Sequence, residues 1–79
     1  MWYRNSAGEY YNLDQFVILK ITGNDSYHPI RGYLPGTQGS ILIESECPSE
    51  EEAKELLNAL LTSTLPLLMW EHFRVTQGG

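Results

Sequence analysis

The chain has 79 residues, five Lys or Arg against ten Asp or Glu, one Cys and two His, for a formal charge of −5. A chain this short forms one domain, buries only about 60% of its unfolded surface, and lacks the cysteines or metal ligands that staple small domains. The charge opposes a phosphate backbone, no apolar run approaches the ~20 residues that cross a bilayer, and a lone Cys without a basic, then apolar leader gives no sign of an oxidising compartment. The expectation is a soluble cytoplasmic protein that binds neither nucleic acid nor membrane.

Trp2 to Arg4 and Glu9 to Asn12 have the aromatic-rich composition of strands, and Asn5-Ser6-Ala7-Gly8 between them supplies turn chemistry, so an opening hairpin is predicted. Asn12-Leu13-Asp14 breaks the pattern, since Asn and Asp bond their own backbone in turns.

Phe16 to Thr22 is the strongest strand signal. Val17, Leu19 and Ile21 form one face and Phe16, Ile18 and Lys20 the other. Both faces are largely apolar, which predicts a central strand covered on two sides, the second side by the C-terminal segment or by another copy of the chain. Gly23 to Ser26 is a turn, and Asn24-Asp25-Ser26 within it matches a glycosylation sequon that has no meaning inside a cell. Tyr27 to Leu34 follows as a strand, with Pro29 marking an edge or a bulge. After the loop Pro35 to Gly39, Ser40 to Glu46 reads as the last strand of the meander, with Ile41 and Ile43 on one side and Leu42, Glu44 and Glu46 on the other.

Ser49 followed by Glu52 is a capping box, and Ala53, Leu56, Leu57, Leu60 and Leu61 behind it form one apolar stripe. An amphipathic helix over about 49–63 is predicted, with Leu57 and Leu60 in the core. Thr62 to Thr64 and Pro66 stop it. Leu67 to Trp70 with Phe73 then form a short apolar element over 64–75, read as a second helix capped by Thr64 ahead of an extended segment, and Thr76 to Gly79 as a frayed tail. The fold class is α+β: an antiparallel meander of four to five strands, one helix across one face, and the apolar C-terminal element.

No constellation for catalysis, cofactor or metal binding stands out. Cys47 precedes the helix cap and could act with His28 or His72 as nucleophile and base in a small enzyme, but free Cys usually packs as a small hydrophobe. Six of the ten acids lie between Glu44 and Glu55. Glu44, Glu46, Glu50 and Glu51 are therefore candidate contacts for a basic partner, against the plainer reading of a solvated surface that suits the helix dipole. Tyr10, Tyr11, Tyr27 and Tyr33 are candidate partner-binding aromatics, equally at home in cross-strand pairs. Adjacent in a strand, Tyr10 and Tyr11 must point to opposite faces.

The final Gly78-Gly79 resembles the C-terminal diglycine of ubiquitin-like and sulfur-carrier proteins. That resemblance covers two residues and implies a carrier whose Gly79 carboxylate is adenylated and then joined to an amine or converted to a thiocarboxylate. The β-grasp fold of that family places its main helix after one hairpin, whereas here the helix follows all the clear strands. Over Tyr3 to Leu57 the layout, with Asn12, Asp14, Glu44 and Ser45 as matching points, resembles small bacterial flagellar-biogenesis proteins of unknown chemistry, and it implies no function. The expected function is a small non-catalytic interaction or regulatory module, with a protein partner or itself, as a homodimer. The carrier and the Cys47 enzyme are the alternatives.

Overall fold

The structure, a computed structural model, describes residues 1–23 and 27–72. It is α+β, with six strands in two small sheets and one helix: β1 (Trp2–Arg4), β2 (Tyr10–Asn12), a 3₁₀ turn (Leu13–Gln15), β3 (Ile18–Ile21), β4 (Ile30–Tyr33), β5 (Ile41–Glu44), α1 (Glu50–Thr62) and β6 (Leu67–Met69). The sequon at Asn24-Asp25-Ser26, Phe73 and the diglycine lie outside the described residues.

The opening hairpin forms as its composition predicts. β1 and β2 pair antiparallel with Tyr3 opposite Tyr11, and Gly8 closes the turn at φ +83°, a left-handed conformation that a side chain would strain. The Asn12 side chain accepts from the Asp14 N–H and caps the 3₁₀ turn.

β3, β4 and β5 make the antiparallel meander, in that spatial order. The predicted central strand is therefore an edge strand, and β4 takes the centre. In a three-strand meander the middle strand in sequence pairs with both neighbours, so β4 is central and β3 keeps one side unpaired among the described residues. At Gly32 of β4 a Cβ would stand 2.6 Å from Phe16 Cδ1, and the glycine lets the Phe16 ring lie across the sheet. Pro29 precedes β4, and the register with β5 shifts between Ile30 and Arg31, the irregularity that a strand without one amide donor invites.

α1 begins at the predicted cap, where the Ser49 oxygen accepts from the Glu52 N–H at 3.1 Å, and Ser63 ends it by donating its N–H to the Ala59 carbonyl at 2.9 Å. Ala53, Leu56 and Leu60 are buried against Tyr3, Leu13, Ile30, Ile43 and Cys47. Leu57 packs at the margin of this core, and Leu61 departs from the predicted stripe with 67% of its surface exposed.

The C-terminal element corrects the sequence reading. Residues 67–69 form a strand parallel to β1, with Tyr3 opposite Leu68, in place of a helix starting at Thr64; helical backbone begins only at Trp70. β1 offers an open edge, and the Trp2 N–H donating to the Pro66 carbonyl at 2.9 Å starts the pairing. The segment thus extends the hairpin sheet and leaves the second face of the meander uncovered among the described residues.

Candidate functional site

The two sheets are joined by a buried polar cluster at the hairpin tip. Glu44, expected on the outward side of its strand, is fully buried. Its Oε1 accepts from the Tyr3 hydroxyl (2.5 Å) and the Ser6 N–H (2.9 Å), and its Oε2 accepts from the Ser6 hydroxyl and the Glu46 N–H (3.0 Å). Four donors on one carboxylate account for its place in the interior. Asn5 completes the joint: its side-chain N–H donates to the Ile43 carbonyl at 2.8 Å while its Oδ1 accepts from the Ala7 and Glu9 amides. Burial first, and the Glu44 carboxylate second, push the Tyr3 hydroxyl pKa far above its ordinary value. Glu44 is consequently a structural residue and leaves the candidate partner face.

The other acids of that face remain outside. Glu46, Glu50 and Glu51 are exposed, Glu50 lies 3.2 Å from Lys54 one turn on, and the first-turn glutamates sit where the helix dipole favours them. The tyrosines do not converge. Tyr10 is exposed on β2 with the Arg4 guanidinium 5.9 Å from its ring centre, while Tyr11 packs inward, edge-on to Phe16. Tyr27 is exposed and Tyr33 half-buried, both on the meander side. Burial, then the Glu9 charge, raise the Tyr11 hydroxyl pKa. Arg4 also pairs with Glu71, whose own backbone N–H and then Arg4 hold its carboxyl below the usual range.

Cys47 is buried at 2% exposure, as a small apolar side chain would be. Among the described residues no three His, Cys, Asp or Glu gather as a metal site would need. Among them, too, no helix is long and apolar enough to cross a membrane.

What the sequence reading missed is an open groove of about 580 Å³ at the other end of the molecule. Leu13, Phe16, Leu19 and Leu60 form its floor, and the chain from Ser63 to Pro66 forms one bank. Val17, Ile18, Leu61 and Leu65 stand around it with 52–67% of their surface exposed. Its one charged side chain, Asp14, receives the Met1 ammonium at 2.9 Å, so the groove is close to neutral, with the polar atoms of Asp14, Ser63 and Thr64 lining it beside the apolar side chains. Contiguous exposed apolar surface is where an interaction site is sought, whereas single exposed apolar side chains are ordinary. The available signal was the surplus of apolar residues on both faces of 16–21, which called for a cover that the described residues do not supply. Comparison with known protein families, with curated proteins and with solved structures finds no match for the chain.

Proposed function

We propose that this chain is a non-catalytic interaction module, a small cytoplasmic regulator that docks another polypeptide in the groove between the start of β3 and the end of α1. The observation that carries the reading is the convergence of Val17, Ile18, Leu61 and Leu65 on one groove. Burying them would release the water they now order, and the groove offers an apolar floor with few charges to desolvate. A carrier acting through Gly79 is the alternative. It is separated from docking by deleting Gly78 and Gly79, which abolishes a carrier and leaves a docking module unchanged.

The direct test places a photo-crosslinking residue at position 65 and, as a control, at position 10 on the hairpin sheet. The docking reading expects one partner adduct from position 65 and none from position 10. Adducts from position 10 alone would contradict it. Light scattering of the purified protein tells whether the adduct partner is a second copy.

A further inference from the structure

We propose that the groove's occupant is an extended segment of another protein, added as a strand along the free edge of β3 and alternating apolar with acidic side chains. The inference rests on the docking reading above and gives its partner a chemistry.

β3 is the outer strand of the meander, and in an antiparallel pair only alternate residues turn their N–H and C=O towards the neighbour. The phase is set by the Thr22 N–H, which donates to the Pro29 carbonyl at 2.9 Å, and by the register Ile21 to Ile30, Lys20 to Arg31. Thr22, Lys20 and Ile18 therefore turn their backbone groups to β4, while Leu19 and Ile21 turn theirs outward. Leu19 also lines the groove, so main-chain groups without a strand partner among the described residues and apolar surface are offered side by side. That pairing suits a strand, whose backbone bonds the edge and whose alternate side chains enter the groove.

The remaining side chains of such a strand fall on the opposite face of the sheet, and there the charge is positive. Lys20 and Arg31 are direct cross-strand partners, an arrangement in which like charges repel. Arg31 Nε donates to Ser40 Oγ at 2.6 Å, and among the described residues neither cation meets a carboxylate. In a chain of charge −5, Lys20 thus stands on the edge strand, with Arg31 opposite it on the central β4 and turned to Ser40 beside β5. A carboxylate on the outward position of an added strand next to Lys20 supplies the counter-charge that Lys20 lacks among the described residues and eases its repulsion with Arg31. A second copy fits less well. Edge-to-edge pairing in the register that sets the two copies' Lys20 opposite each other would place like charges together, and Lys is a residue type that blunts such pairing.

The test is selection of short random displayed peptides on the immobilised full chain, followed by titration of the synthetic binders into wild type, Leu61→Asp and Lys20→Glu with amide exchange followed by NMR. The expected binders alternate apolar residues with Asp or Glu, protect the Leu19 and Ile21 amides, and lose about tenfold or more in affinity on Lys20→Glu. Binders that need Leu61 but lack the acids, ignore Lys20→Glu, or leave those amides unprotected would overturn the strand inference while keeping the docking reading. Binders indifferent to Leu61→Asp, or no binders, would overturn both.

Discussion

The Tyr3 hydroxyl donates to the Glu44 carboxylate across 41 positions of sequence, and both side chains are fully buried. This contact ties the first strand of the hairpin sheet to the last strand of the meander. Removing the hydroxyl with Tyr3→Phe leaves three of the four Glu44 donors in place and is expected to cost about 1–3 kcal/mol in urea unfolding. Glu44→Ala strands all four donors and should cost more. A smaller loss for Glu44→Ala than for Tyr3→Phe would contradict the joint described here.

The same contact gives an alkaline signature. Because the folded pKa of Tyr3 lies above its unfolded value near 10.0, its contribution to stability is complete below that pH and is lost as the pH rises beyond it, where only the unfolded chain ionises. Tyr11, shifted in the same direction, adds to the loss. The urea midpoint should fall more steeply above pH 10 in wild type than in Tyr3→Phe. Parallel profiles would count against a protonated, buried Tyr3.

Gly32→Ala tests the packing of the Phe16 ring on β4. The added Cβ would meet the Phe16 ring at 2.6 Å, and displacing that ring is expected to cost about 1–3 kcal/mol. Gly36→Ala is no clean control because of its φ of +75°, whereas Gly39→Ala meets open space without a positive φ and should be close to neutral.

On α1, neighbouring leucines should behave oppositely. Leu60→Ala removes a side chain that is 6% exposed and is expected to cost about 2–5 kcal/mol, while Leu61→Ala, at 67% exposure, should change stability by less than about 0.5 kcal/mol. Equal losses would mean that Leu61 is covered within the chain.

What the sequence reveals and what it hides divide along contact range. The cap at Ser49, the turn at Asn5 to Gly8 and the break at Asn12 are local chemistry, and each element starts or stops where those residues require. The burial of Glu44 depends on a hairpin tip 38 positions earlier, and strand alternation alone puts it with Leu42 on the outside. β6 likewise follows from the open edge of β1 and not from its own residues, since Thr64 and Pro66 equally suit a helix start. At the groove, Val17 and Ile18 have the composition of a core, and a core and a docking surface are made of the same side chains. Only the fold tells which is covered.

The measurement that bears most directly on the account is the affinity of wild type and Leu61→Asp for the partner crosslinked at position 65, read beside the thermal midpoint of each. Docking in the groove predicts that the variant keeps the wild-type midpoint and loses binding by about two orders of magnitude or more, the scale of a charge forced into an apolar contact. Retained affinity at an unchanged midpoint would place the contact elsewhere on the molecule and contradict the account.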